Sequence, residues 1–202
     1  DRVVQRAMLM AMEPIWESDF HRASYGFRPA RSVHHAIRTV KLQLQESDEQ
    51  RAAGRWVIEG DLASYFETVH HRLLLKAVRK RIADQRFLAL LWTCIKAGCV
   101  DRGLFCAASE GVPQGGVISP LLSNIMLHEF DDWMEANYLR KKVRKDRWSW
   151  NFGILKQRPI AARENRQWKP AVSYCRYADD FVVVVKGTHA HAEAIREACR
   201  TF

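Results

Sequence analysis

The sequence predicts an α+β fold, a small antiparallel sheet backed by helices. Three observations predict it. Apolar residues recur at helical 3–4 spacing over most of the chain, while only a few short runs are rich in β-branched residues. Two of those runs, Val172–Tyr177 and Phe181–Val185, flank Ala178-Asp179-Asp180, the pattern of a hairpin with two acids at its tip. The chain of 202 residues, 48% of them hydrophobic, is long enough for a sizeable core and too apolar for a disordered chain. No apolar run approaches the roughly 18 residues of a membrane span. The five cysteines are odd in number and have no CxxC spacing, which argues against a disulfide scaffold or zinc ribbon and for a reducing compartment. The start, DRVVQRAMLM, lacks the features of a signal peptide and reads as the interior of a longer protein. A net charge of +9 points to a polyanionic partner, most often nucleic acid.

In chain order, Val3, Val4, Ala7, Met8, Ala11, Met12 and Ile15 predict a first helix over residues 1–16, weakened at its end by Pro14. Ser24-Tyr25-Gly26-Phe27-Arg28-Pro29 is a loop punctuated by Gly and Pro. Ser32 caps a second helix to about Gln45, with Val33, Ala36, Ile37, Val40 and Leu44 on one face. Arg55–Gly60 is a short strand ending at Asp61. Helical patterns follow at about 67–82 and 84–97, then a short hairpin within 99–108 turning at Asp101-Arg102-Gly103. Gly111 to Gly116 form a loop, and Ser119-Pro120 opens a long helix with Ser119 as its cap. Residues 137–170 are rich in Arg, Lys and Trp without a clear period, and His189 to Phe202 are helical.

Asp61 ends a strand that reads from its sequence as buried, and Asp179 and Asp180 are expected in a tight turn. Carboxylates gathered at strand ends repel one another unless a cation neutralises them. Oxygen ligands suit Mg²⁺, and a metal pair can clamp the attacking and leaving oxygens of phosphoryl transfer. Asp is also an ordinary turn residue, so two adjacent acids alone leave the choice open.

Four blocks in order narrow it. Tyr177-Ala178-Asp179-Asp180 resembles the YxDD box of reverse transcriptases. Asp61-Leu62-Ala63-Ser64-Tyr65-Phe66 resembles the motif bearing their first metal-binding Asp. The stretch from Gly111 through Pro113-Gln114-Gly115 and Ser119-Pro120 to Asn124 resembles their PQG…SP-LL-N block. Ser24 to Pro29, with Arg31-Ser32, resembles the SYGFRP-x-RS signature of the group II intron reverse transcriptase/maturase lineage.

The resemblance implies a fingers/palm fold with a YADD hairpin, and RNA-directed DNA polymerase activity. Asp61, Asp179, Asp180 and the Leu62 carbonyl would hold two Mg²⁺, with Mn²⁺ as a substitute. Phe66 would be the gate against a ribose 2′-hydroxyl, and Gln114 and Gly115 would contact the dNTP. Arg28 and Arg31 would lie near template or triphosphate. Partners would be an RNA template such as intron RNA, a DNA primer or target, and dNTPs, without a membrane; a homodimer is allowed. Localisation would be bacterial cytoplasm, with an organellar origin also compatible. The resemblance divides the chain into a fingers portion (1–54) and a mostly palm portion (55–202), a partial reverse transcriptase domain without thumb or maturase regions.

Residues 137–170 are expected to be a basic insertion. They hold eleven basic residues against two acids, which equals the whole chain's surplus. Trp148, Trp150, Phe152 and Trp168 interleave with basics that include Arg144, Lys145 and Arg147, the chemistry of single-stranded nucleic-acid binding. A solvated loop with packed tryptophans is the competing expectation. Two alternative functions share the blocks: a CRISPR-associated or defence reverse transcriptase, and an RNA-binding splicing factor.

Overall fold

The first helix sets the frame for the others. A computed structural model of the chain describes residues 2–45, 54–97, 99–101, 104–106, 110–112, 115–139, 147–151, 154–158 and 170–202. Helix α1 (Arg2–Glu17) buries Met8, Leu9, Met12 and Trp16. The helical period is as expected, but the inward face is rotated. Val3, Ala7, Ala11 and Ile15 are exposed, because the larger Leu9 and Trp16 take the core. The helix also runs through Pro14 for a further turn, ending where the Trp16 carbonyl accepts the amides of Asp19 and Phe20. Helix α2 (Val33–Leu44) is capped by Ser32 as expected, but buries only Ala36, leaving Val33 and Ile37 largely exposed.

Strand β1 (Arg55–Gly60) leads to a single turn of helix, α3 (Tyr65–Thr68), and then to α4 (His71–Arg79). The helix expected over 67–82 is thus two pieces. The break is at Val69, whose carbonyl bonds outward to the Gly111 amide at 2.8 Å instead of along a helix. Helix α5 (Gln85–Lys96) is capped by Asp84, whose carboxylate accepts the Arg86 and Phe87 amides. Strands β2 (Cys99–Asp101) and β3 (Leu104–Cys106) pair antiparallel. Helix α6 (Ser119–Met134) begins after Ile118, so Ser119 lies inside it and is not its cap. A π-helical turn, Glu135–Leu139, extends α6.

Within the segment expected to lack periodicity, β4 (Arg147–Asn151) and β5 (Ile154–Arg158) pair antiparallel. Strands β6 (Ala171–Tyr177) and β7 (Asp180–Lys186) precede α7 (His189–Thr201), which Thr188 caps. The three-stranded sheet has the order β1-β7-β6, antiparallel throughout.

Two apolar cores result. One gathers α1, α4, α5 and the first half of α6 around Met12, Leu74, Leu91 and Leu122. The other lies between the sheet, the second half of α6 and α7, around Ile58, Phe130, Met134, Val183 and Ile195. Helix α6 belongs to both, with ten of its sixteen residues buried. Among the described residues no helix is long and apolar enough to cross a membrane.

Candidate active site

The sheet brings the acids together. Gly60 pairs with Phe181, so β1 ends beside the start of β7. Asp61 is the residue after Gly60, and Asp180 is the one before Phe181. The approach depends on Gly60, since a Cβ there would stand 2.2 Å from the Phe181 ring. Tyr177 pairs with Asp180 across the two-residue connection Ala178-Asp179. Ala178 has a φ of 55°, a left-handed conformation that costs a non-glycine residue about 1–2 kcal/mol.

Asp180 senses its neighbours. The Asp180 carboxyl is pushed above the ordinary aspartate value, by partial burial and by the charges of Asp61 and Asp179. Burial likewise raises the Tyr65 hydroxyl, and Asp179 adds to the rise while Arg176 opposes it. The Tyr65 hydroxyl itself donates to the Ser123 carbonyl at 3.4 Å. Among the described residues, no Lys or Arg side chain forms an ion pair with Asp61, Asp179 or Asp180.

The donor set is all oxygen, which fits Mg²⁺. Among the described residues no three His, Cys, Asp or Glu side chains are grouped closely enough to hold a metal ion between them. An open arrangement is what Mg²⁺ uses, since it retains waters and takes substrate phosphates beside one or two carboxylates. The Leu62 carbonyl accepts the Tyr65 amide at 3.2 Å and keeps a second lone pair for another partner.

Around the acids, Phe66 is half-buried on the helical core, edge-on to Phe27 with ring centroids 6.2 Å apart. Its carbonyl accepts the Val112 amide at 2.7 Å, which fastens the following loop to α3. Gly111 there has a φ of +86°, and a Cβ on it would stand 2.7 Å from the Glu67 carbonyl oxygen. Buried His71 meets the Gly111 carbonyl through Nε2 at 2.5 Å. Gly115 has a φ of +77°, and among the described residues nothing lies within 4 Å of a Cβ placed on it. Gln114, Arg144 and Lys145 lie outside the described residues. Arg147, Trp148 and Trp150 are on strand β4.

Arg28 is bonded within the protein. It is buried, and forks onto the Glu17 carboxylate through Nε and Nη2, at 2.9 and 2.8 Å. Its Nη1 donates to the carbonyls of His21 and Ser24 at 2.8 and 2.9 Å. Arg28 therefore holds the loop after α1 in place. Arg31 is partly exposed and donates to the Arg22 and Ser24 carbonyls, with its guanidinium over the Tyr25 ring. Burial and the neighbouring Arg28 lower its pKa.

The sequence reading missed a buried polar group behind the turn. Arg176 and Asp131 are 1% and 0% exposed and pair bidentately, at 2.8 and 2.6 Å. Arg176 also reaches Asn124 Oδ1, Ser24 Oγ and the Ala178 carbonyl, at 3.0, 2.9 and 2.8 Å. Tyr174 donates its hydroxyl to Asp131 at 2.7 Å. Burial opposes the charge of Arg176, and the hydrogen bonds and charge of Asp131 outweigh it, so its pKa is raised. The signal was present. In β6, Val172, Tyr174 and Arg176 alternate onto one face, and a charge at an inward position needs a buried partner.

This sheet, carrying acids at the ends of two adjacent strands, defines a class of protein. The model of the reverse transcriptase (RNA-dependent DNA polymerase) family matches residues 1–202, and the chain belongs to that family. Its relatives include group II intron-encoded proteins. Protein YkfC of Escherichia coli K12 is 74% identical over 200 residues, which cover 99% of this chain and 52% of that protein. Group II intron-encoded protein LtrA of Lactococcus lactis is 29% identical over the whole chain and 38% of its own length. Nuclear intron maturase 2, mitochondrial, of Arabidopsis thaliana is 25% identical over the whole chain and 33% of its own length. The chain thus spans about half the length of the relatives it matches, or less.

Proposed function

We propose that this chain is the nucleotidyl-transfer core of a group II intron-type RNA-directed DNA polymerase, with fingers in residues 1–54 and mostly palm in 55–202. The observation that supports the reading is the β1–β7 register, which ends β1 at Gly60 opposite Phe181, with the charges of Asp61 and Asp179 adding to the rise of the Asp180 carboxyl. In this reading the turn at Ala178-Asp179 is the YADD hairpin. Asp61, Asp179 and Asp180, with the Leu62 carbonyl, would hold two Mg²⁺ ions, or Mn²⁺ in their place. Bound there, the metal supplies Lewis-acid neutralisation of charge on the transferring phosphate.

The chain's own part is placement. The β1–β7 register sets Asp61 beside Asp180, so the carboxylates need no reorganisation as charge develops. Phe66, braced against Phe27, presents a flat ring to the sugar and disfavours a 2′-hydroxyl. Gly115 lets the backbone close on the dNTP, with Gln114 beside it. No protein nucleophile is required, since the primer 3′-oxygen attacks and positioning carries the rate.

The partners in this reading are an RNA template, intron RNA in particular, a DNA primer or target, and dNTPs. The intron-encoded relatives favour a further role in splicing. The bacterial relatives favour bacterial cytoplasm. The basic, aromatic segment 137–170, through Arg144, Lys145, Arg147, Trp148 and Trp150, is assigned to single-stranded nucleic acid, with Arg31 near the template.

The test uses the full-length protein with an RNA template, an annealed DNA primer, dNTPs and Mg²⁺. Primer extension is expected, and its loss in the double variant Asp179→Ala, Asp180→Ala. Absence of extension in the parent, or undiminished extension in the variant, overturns the reading.

A further inference from the structure

Arg176 lies three residues before Asp179 and touches none of the groups assigned to the reaction. Its guanidinium meets acceptors from four places in the chain. These are Ser24 in the loop after α1, Asn124 in the first half of α6, Asp131 in the second half, and Ala178 in the turn. The same junction is closed by backbone. Ser24 bridges to Arg176, with the Arg176 amide donating to the Ala23 carbonyl at 2.8 Å and the Tyr25 amide to the Arg176 carbonyl at 2.9 Å. Asn124 Nδ2 donates to the Gly26 carbonyl at 2.8 Å, and a Cβ on Gly26 would stand 2.2 Å from the Ala178 nitrogen. The turn therefore rests on a bed of which Arg176 is the centre.

We infer that Arg176, oriented by Asp131, is a positioning residue for the acids: by holding the Ala178 carbonyl it sets the direction of Asp179 and Asp180 relative to Asp61. A buried ion pair kept for stability alone is replaceable by apolar side chains of similar volume, often without loss. Addressing four acceptors at once requires the planar fork and five donors of arginine. The three donors of lysine radiate from one atom and cannot reach all four. The contact to Ala178 serves the turn, in the left-handed conformation that β6 and β7 demand of a non-glycine residue.

The inference rests on the polymerase reading, and the experiment separates the two. In the full-length protein, Arg176→Lys and Ser24→Ala are compared with the parent. Measurements are thermal unfolding, steady-state primer extension, Mg²⁺ titration, and amide hydrogen exchange at residues 178–180. For folded Arg176→Lys, kcat is expected to fall about 10²-fold, the usual cost of a small misplacement. KM for dNTP should stay within about twofold, Mg²⁺ half-activation should move upward, and exchange at the turn should quicken. Ser24→Ala, which removes one contact of the fork, should show the same pattern more weakly.

Parent-like kcat and Mg²⁺ response in folded Arg176→Lys overturns the inference. So does a loss that tracks the unfolded fraction at every temperature. If Arg176→Lys does not fold, Ser24→Ala decides by the same criteria. If the parent does not extend primers, or the Asp179, Asp180 double variant extends like the parent, the polymerase reading fails and the inference falls with it.

Discussion

Replacing Arg28 by lysine separates two roles that the sequence left open for this residue. The guanidinium makes hydrogen bonds to three groups at once, the Glu17 carboxylate and the carbonyls of His21 and Ser24. A lysine ammonium can keep the Glu17 contact but not both carbonyls. The Ser24 carbonyl keeps its bond from Arg31, and the His21 carbonyl its bond from the Ser24 amide, so the lost Arg28 donor costs about 1 kcal/mol. Loss of the bidentate geometry adds about 1 kcal/mol, discounted because the Glu17 side chain is 25% exposed. The expected destabilisation is about 2 kcal/mol, read from the urea midpoint at constant m-value in the full-length protein. In Arg28→Ala, which removes the charge, binding of a single-stranded RNA template should keep its log–log salt slope, because no phosphate contact is lost. If Arg28→Lys changes stability by less than about 0.5 kcal/mol while the Arg28→Ala slope falls by roughly 0.7, Arg28 is a phosphate ligand and the burial argument is refuted.

Two further outcomes follow from the same junction. The raised carboxyl of Asp180 means that the folded chain binds its proton more tightly than the unfolded chain. Ionised Asp180 therefore opposes folding, with the penalty absent below the ordinary aspartate value and complete above the folded pKa. Asp180→Asn should unfold at higher temperature than the parent at neutral pH, with the difference closing on acidification through that range. A difference that grows on acidification contradicts it. Gly26→Ala should destabilise by about 1–3 kcal/mol, since its methyl must displace the Ala178 backbone, and should slow primer extension beyond the loss of folded protein. Unchanged urea and extension curves would show that the turn has room to move.

Much of this fold and site was legible from local pattern. The hairpin around Ala178-Asp179 was visible because β-branched runs flank turn residues, and the neighbourhood of Asp61 because a short strand ends there. The Ser32 cap and the helix after Asp84 followed from local chemistry alone. Other features depended on partners distant in sequence. The inward face of α1 is decided by the competition of Leu9 and Trp16 with smaller residues for a core built from α4, α5 and α6. The break at Val69 depends on Gly111, more than forty residues away. Arg28 and Arg176 show why charge cannot be assigned by type. Arg28 looked available for nucleic acid and Arg176 carried no assignment, yet acceptors from elsewhere in the chain enclose them. A loop signature such as Ser24 to Pro29 is recognisable as a string, while its physical purpose, seating a turn some 150 residues later, emerges only in three dimensions.

The strand order β1-β7-β6 has a consequence for how the chain acquires its shape during synthesis. The central strand, β7, is the last of the three to be made, and 119 residues separate it from the end of β1. Until β7 emerges, β1 has no partner in this sheet and carries an unpaired edge with Trp56 and Val57 on it. Meanwhile α1, α4, α5 and the first half of α6 already contain most of one core. Contacts of long sequence separation form late, because the intervening chain must be closed before they yield any gain. The helical half is therefore expected to condense first, with the acids brought together only as the final strand slots between its neighbours. Nascent chains halted before residue 180 would expose an unpaired strand, the kind of surface that invites chaperones and aggregation.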